Sequence, residues 1–422
     1  MERDNVTRLS GKEETCDPLH DIIRSGAREL LAQAIKVEVD DFLADHVDQR
    51  LDDGRARVVR HGFLPARSVQ TGVGAVEVKK PRVRDRAIKP SSEDKKIIWS
   101  SKLLPPYLRR SKSLDELLPA LYLRGVSSGD FQDALRALLG KDAPNLSPQT
   151  ISRLKAGWQQ ELQAWQKRDL SARNYVYVWA DGIYLQPRKD DRMCILVLLG
   201  ATPEGKKELI GLIDGYREST QSWKELLLEL KARGLRIDPK LAVGDGALGF
   251  WTALKDVFGA TKGQRCWVHK TANVVNRVPK AMQAKVKSDL QDIWMAETRV
   301  EAIKAFDLFL DKYRDKYDKA TECLEKDRKA LLAFYDFPAA HWKHIRTTNP
   351  IESIFASVRH RTKRSKGCLS RKTAMPMIYK LIMAASSRWQ KLNGTNLLPK
   401  LIEGVIFEDG EQLITETKPI AA

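Results

Sequence analysis

The sequence predicts an α/β protein: a mixed sheet in its central stretch, a long helical stretch behind it, and small helical and β-rich basic regions ahead of it. Three observations carry this. Residues 174–269 alternate apolar strand-like runs with amphipathic helical runs, the first three runs being joined by short links. Residues 270–345 hold no glycine and no strand pattern. Basic charge is gathered in two blocks: residues 55–112 hold 16 Lys/Arg against 4 Asp/Glu, and residues 355–400 hold 11 Lys/Arg and no acid. The two blocks exceed the net charge of +18 for the 422-residue chain, because the remainder is net acidic. Separated basic surfaces of this size suit extended contact with a nucleic-acid backbone.

Composition excludes several classes. With 42% hydrophobic residues the chain can bury a core and is not a disordered polymer. The longest apolar run, Met193 to Ala201, is too short to span a bilayer, so no membrane partner is expected. The opening stretch MERDNVTRLSGKEE is charged where a secretory leader needs an apolar core. Five scattered cysteines (Cys16, Cys194, Cys266, Cys323, Cys368) argue against a disulfide framework. A cytoplasmic location is the expectation.

Taken in order, residues 17–47 form an acidic amphipathic helix with Leu30, Leu31, Ala34, Ile35, Val39 and Phe42 at helical spacing. Residues 1–54 are thus a helical region suited to pairing of subunits or to ordinary core packing. Residues 55–86 are short strands between Gly and Pro punctuation, and the region 55–112 carries Arg82 and Arg84 as candidate DNA contacts. Residues 113–165 contain three helices. The third opens at LSPQT, with Ser147 as cap and Pro148 in the first turn, and offers Gln149, Arg153 and Lys155 in the manner of a helix-turn-helix recognition helix.

In residues 170–269 the expected strands are Tyr175–Ala180, Met193–Ala201, Lys207–Ile213, Leu241–Gly244 and Arg265–Val268. The helices are Gln221–Arg233, stopped by Gly234, and Ala247–Val257. Three linked strands followed by helix, strand, helix, strand is the order of a ribonuclease H-like sheet. Such a sheet is used to place carboxylates at strand ends around two Mg²⁺ ions, which are hard cations seeking oxygen ligands. Asp181 follows YVYVWA, Asp245 follows LAVG, and Asp214 follows KELIGLI; each precedes a glycine. By itself each Asp-Gly is equally a turn, and three candidates compete for two places. A third acid, Glu352, sits in the first turn of a helix capped by Asn349 with Pro350 next. Arg359 lies two turns further along nearly the same face, and Arg361, Lys363, Arg364 and Lys366 continue the basic run.

The stretches VWADGIYLQPR, KELIGLIDGYRESTQSWKELLLELKARGL, GDGALGF, QRCWVHK and RTTNPIESIFASVRHRTKRSKG resemble bacterial insertion-sequence transposases of the Mutator type, over residues 20 to 400 or so. The resemblance implies a DDE catalytic triad at Asp181, Asp245 and Glu352, holding two Mg²⁺ ions for which Mn²⁺ can substitute; it leaves Asp214 without a catalytic counterpart. It implies a helical insertion domain at 270–345 between the two parts of the catalytic domain, 170–269 and 346–400, with 401–422 as a tail. It also implies a Cys-x-x-His motif at Cys266 and His269, with His269 beside the active site and Cys266 in the core, and a DNA contact at Arg359. One Cys-x-x-His pair cannot complete a tetrahedral zinc site; His341 and His344 would have to supply the rest from the far end of the insertion.

The expected function is therefore a DNA transposase. It would bind the terminal inverted repeats of its element, cut at the element ends and transfer strands into double-stranded target DNA, acting as a homodimer on DNA in the bacterial nucleoid. A structure-specific nuclease or junction resolvase of the same fold is the alternative, and a DNA-binding regulator without activity is a third.

Overall fold

Strand periodicity in residues 55–86 becomes two antiparallel ladders. In the computed structural model the described residues are 18–87, 96–126, 131–139, 148–186, 192–246, 248–364 and 370–413. The chain divides into two units, residues 1–151 and 152–422.

In the first unit, α1 (Pro18–Ala44) precedes β1 (Val58–Phe63), β2 (Arg67–Thr71), β3 (Gly74–Val78) and β4 (Pro81–Asp85). β2 and β3 form a hairpin closed at Thr71 and Gly74, and β1 pairs with β4 from Val58 and Asp85 onward. Ile35 of α1 packs with Val69, Val76, Val78 and Leu104. The buried stripe of α1 is narrower than its periodicity suggested, for Leu30 is 68% exposed. α2 (Lys112–Leu123) and α3 (Phe131–Leu139) follow. The predicted cap Ser147 lies outside the described residues. α4 (Pro148–Gln166), which runs across the division at residue 151, opens at the predicted proline and ends one residue past the expected helical region 113–165. Trp158, Leu162 and Trp165 recur on one helical face and are all buried, which carries the helix on.

The second unit is a mixed five-stranded sheet between helices. β5 (Tyr177–Leu185), β6 (Met193–Ala201), β7 (Lys207–Gly215), β8 (Leu241–Gly244) and β9 (Lys262–Arg265) lie in the order β7-β6-β5-β8-β9. The β5–β6 and β6–β7 pairs are antiparallel, as short links require; β5–β8 and β8–β9 are parallel, as helical crossovers require. The crossovers are α5 (Thr220–Ala232) and α6 (Leu248–Val257). They cover one face, burying Trp223, Leu226, Leu230, Phe250 and Leu254 against Val178, Ala180, Leu196 and Leu198.

α7 (Trp267–Val275), α8 (Lys280–Met295), α9 (Arg299–Tyr313), α10 (Asp318–Glu325) and the short α11 (Arg328–Leu331) and α12 (Trp342–Ile345) fill the glycine-free stretch. α13 (Asn349–Arg364) then returns to β5 and β6, and α14 (Arg371–Ser386) packs on β7. α15 (Leu398–Ile402) and a two-residue hairpin, β10 (Phe407–Glu408) with β11 (Glu411–Gln412), end the described chain.

Three element boundaries differ from expectation. β5 runs through Asp181 to Leu185, because β6 pairs with it along its whole length. β7 likewise includes Asp214. The fifth strand is the polar KGQR rather than RCWV: β9 is an edge strand that buries only Gln264, while Trp267 belongs to the buried side of α7 with Val274.

Candidate active site

Backbone register brings two of the acids together. Ala180 pairs with Gly244, and Gly244 with Arg265. β8 and β9 both stop at that rung, so Asp181, Asp245 and Cys266 leave the parallel ladder side by side. Asp181 is therefore not at the end of its strand, as the sequence suggested. It still pairs with Val197 of β6 and stands where β5 loses its parallel neighbour. Strand alternation puts it on the face of Trp179, whose indole N–H donates to the His344 carbonyl at 3.0 Å, on the approach to α13.

Each aspartate is fixed by the glycine after it. The Gly182 N–H donates to Asp181 Oδ1 at 2.8 Å, and the Gly246 N–H donates to Asp245 Oδ1. The Asp245 carbonyl accepts from Trp251 Nε1 at 2.8 Å and from Arg265 Nη1 at 2.7 Å, so the turn is held while the carboxylate stays available. Glu352 is the fourth residue of α13, which begins at Asn349, one residue earlier than predicted. Thr348 takes the capping place, its carbonyl accepting the Glu352 N–H at 3.1 Å. Glu352 Oε1 lies 3.8 Å from His269 Nε2.

Thr348 links these elements. Its N–H and hydroxyl each lie 3.3 Å from the Cys266 sulfur, and the hydroxyl is also 3.3 Å from His269 Nδ1 and 3.4 Å from Glu352 Oε1. Candidate ligand atoms of Cys266, His269 and Glu352 all fall within 4.8 Å of one another. Cys266 is nevertheless only 1% exposed, and its sulfur is engaged by Thr348. His341 bonds Tyr177 and the Gly394 carbonyl, and His344 accepts from the Asn393 N–H. Neither histidine is turned toward Cys266 to complete a zinc tetrahedron.

A fourth carboxylate, which sequence reasoning missed, belongs to the same neighbourhood. Glu218 lies just before the Ser219 cap of α5, and a Cβ on Gly182 would meet its Oε1 at 2.6 Å. Nothing in the run YREST distinguishes Glu218 from any acid at a helix start. Burial, with Asp245 and Glu352 adding to it against His269, pushes the Asp181 carboxyl up to about 6. Burial, then Asp181 and Asp245, push Glu218 up to about 7. The Cys266 hydrogen bond, helped by Asp245 and Asp181 and opposed by burial, raises His269 to about 9. Crowded hard oxygens whose charges oppose one another, beside an imidazolium, fit a divalent cation such as Mg²⁺.

Asp214 is elsewhere. It lies in β7 and accepts a two-pronged bond from Arg371, at 3.1 Å for Nη2. Among the predicted DNA contacts, Arg153 is exposed and Lys155 half-buried on α4, and Arg82 and Arg84 are exposed on β4. Arg359 is exposed on α13, 5.9 Å over the Phe355 ring. The side chains of Gln149, Lys363, Arg364 and Lys366 lie outside the described residues. Arg361, expected within the basic run, turns inward and is 2% exposed. Lys270 of α7 is buried and held by the Cys323 carbonyl and Asp327. No helix among the described residues is long and apolar enough to cross a membrane.

Comparison with known proteins gives a concordant picture. Residues 2–392 match the profile of the family described as Transposase, Mutator family. The chain is 51% identical to the transposase for insertion sequence element IST2 of Acidithiobacillus ferrooxidans over 280 residues, covering 66% of this chain and 95% of that one. It is 48% identical to the transposase for insertion sequence element IS6120 of Mycolicibacterium smegmatis over 301 residues, covering 71% and 93%. A chain of the Drosophila P element transposase strand transfer complex aligns over 69% of this chain and 84% of that one, at 12% identity and a TM-score of 0.30, a likeness too slight to carry an argument.

Proposed function

The chain belongs to the Mutator family of transposases, and we propose that it cuts and joins DNA at the ends of its own insertion sequence through Asp181, Asp245 and Glu352. The observation that carries the assignment is the shared rung. Asp181 and Asp245 leave the parallel ladder together, and Glu352 approaches from α13 beside His269. Sheet order and crossovers support a ribonuclease H-like reading of the second unit, with α8 to α12 as the helical insertion between the second and third acids.

Two Mg²⁺ ions, or Mn²⁺, would supply charge neutralisation at the attacking and leaving oxygens of the phosphodiester. Asp181 and Asp245 hold that charge from the sheet, and Glu352 holds it from the helix. Thr348 keeps Glu352 and His269 in register across two helices. His269, protonated at neutral pH, donates to a phosphate oxygen. Arg359 on the same helix as Glu352 meets the DNA backbone. Arg153 and Lys155 on α4 and Arg82 and Arg84 on β4 contact the terminal inverted repeats. The exposed Leu19, Ile22 and Leu30 of α1 suit pairing of two subunits, one per element end.

The test uses the full chain and a duplex carrying the element end. Asp181→Asn, Asp245→Asn and Glu352→Gln should each abolish cutting while end binding persists, and Ca²⁺ should permit binding without cutting. A pre-cut end should be joined to target DNA by the wild-type protein; hydrolysis without joining would favour the resolvase alternative. Full cutting by any of the three variants would overturn the assignment.

A further inference from the structure

Tyr184 of β5, Cys194 of β6 and Gly215 of β7 stand in one rung of the sheet, three residues along β5 from Asp181. That is about 10 Å at the rise of a strand. A cavity of about 590 Å³ opens there, lined by Tyr184, Arg192, Cys194, Tyr216, Arg217 and Arg371. Its aromatic rings are left in solvent, Tyr184 being 40% and Tyr216 78% exposed. Each carries a guanidinium: Arg192 lies 4.5 Å from the Tyr184 centroid and Arg217 lies 5.4 Å from that of Tyr216.

The backbone is arranged to present these groups. The Arg217 N–H donates to the Gly215 carbonyl at 3.1 Å, a tight turn with Tyr216 at its tip. Arg217 itself has φ +70°, a left-handed conformation that costs a non-glycine residue free energy and that folds keep where it serves a site. Arg371 is held by Asp214, whereas Arg192 and Arg217 have no carboxylate at ion-pair distance among the described residues. The next residue after Arg217 is Glu218, whose carboxylate lies against Gly182 beside Asp181. Cavity and acids are thus joined through one residue.

We propose that this cavity binds the DNA strand next to the scissile phosphate, with one unstacked base on Tyr216 and the flanking phosphates on Arg192 and Arg217. The assignment rests on the reading of Asp181, Asp245 and Glu352 as the cutting centre. Guanidinium groups match phosphate oxygens two at a time, and an exposed tyrosine stacks on any base without reading its identity. The cavity admits a nucleotide and not a duplex. Along the strand this separation corresponds to about three stacked nucleotides, or fewer in an extended strand, with Tyr184 on the opposite face of β5 from Asp181, the face on which Glu218 covers Gly182.

Binding is measured by fluorescence anisotropy on the full-length protein in Ca²⁺, with an intact element-end duplex and with the same end carrying an unpaired flank at the cut. Tyr216→Ala should weaken binding to the unpaired flank about tenfold and to the intact duplex less than twofold, and Tyr216→Phe should restore it. Arg217→Gly suits the left-handed backbone, so it removes the cation without straining the fold. Arg217→Gly and Arg192→Ala should each reduce the slope of log affinity against log salt by about 0.7 to 0.9. Variants that match the wild-type protein on both substrates and keep its salt slope, in a protein that still cuts element ends, would overturn the cavity assignment alone. A wild-type protein that cuts no element-end DNA would overturn both this assignment and the reading of the acids.

Discussion

Asp181-Gly182 and Asp214-Gly215 look alike in sequence, each closing an apolar run, and they lie two strands apart in one sheet. Their surroundings have little in common. β5 is flanked by β6 and β8, and at Asp181 its parallel neighbour has just ended, which leaves the carboxylate facing Asp245, Glu352 and His269. β7 is an edge strand, and Asp214 is neutralised by Arg371. Strand order decides which of two identical local signals collects other charges. An acid beside acids demands a cation; an acid beside an arginine is already satisfied.

The largest expected effect breaks the comparison directly. Asp181→Asn should lower end cutting at least about 1,000-fold, since it removes a charge that holds the cation. Asp214→Asn should leave cutting within about threefold, because it removes only a partly exposed ion pair. Comparable losses in rate assays of the two purified variants would mean that strand order does not separate them.

Glycine substitutions sharpen the same contrast. In Gly182→Ala the added methyl meets the Glu218 carboxylate, the far end of a flexible side chain. Stability should change by less than about 1 kcal/mol, while cutting should fall about 10- to 100-fold as Glu218 is displaced beside Asp181. In Gly211→Ala, on β7, the methyl meets Leu226 at 2.8 Å and Leu198 at 3.2 Å within the core. That overpacking should cost about 1 to 3 kcal/mol in urea unfolding, with the rate per folded molecule unchanged. The reverse pattern, a stable but inactive Gly211→Ala, would place chemistry on the wrong strand.

The smallest effect is the pH dependence of cation binding. Asp181 stands at about 6 against an ordinary 3.8, and Glu218 at about 7 against 4.5. Between these values the folded chain keeps protons that the unfolded chain has released, so the cation-free protein loses stability as pH rises through the window. A cation competes with those protons. The melting-temperature increase produced by Ca²⁺ should be small near about pH 5 and level off above about pH 7. His269, raised to about 9, contributes stability that is full below about 6.5 and is lost progressively as pH rises from there through about 9, so its loss begins only at the upper end of this window. Asp214→Asn should keep the Ca²⁺ profile and Asp181→Asn should flatten it; a flat wild-type profile would argue against a cation on these carboxylates.

Local chemistry alone makes many elements legible in the sequence. β6, Met193–Ala201, and β8, Leu241–Gly244, match their predicted bounds because their side chains are apolar throughout and both strands are fully buried. The helical nature of residues 270–345 followed from the absence of glycine and of strand alternation. RCWV misled because apolarity belongs equally to a buried helix turn and to a strand, and only packing of Trp267 distinguishes them.

The sequence by itself determined the alternation of strands and helices, the two basic blocks, and the presence of acids directly after apolar runs. These are properties of neighbours along the chain. Only the tertiary structure decided that β8 stops at the rung where Asp181 follows Ala180, that Thr348 reaches Cys266 and His269 from about 80 residues away, that Arg361 and Lys270 turn inward, and that Glu218 comes over Gly182 from the other layer. Each depends on strand register and helix packing, which bring together residues whose separation along the chain carries no trace of their separation in space.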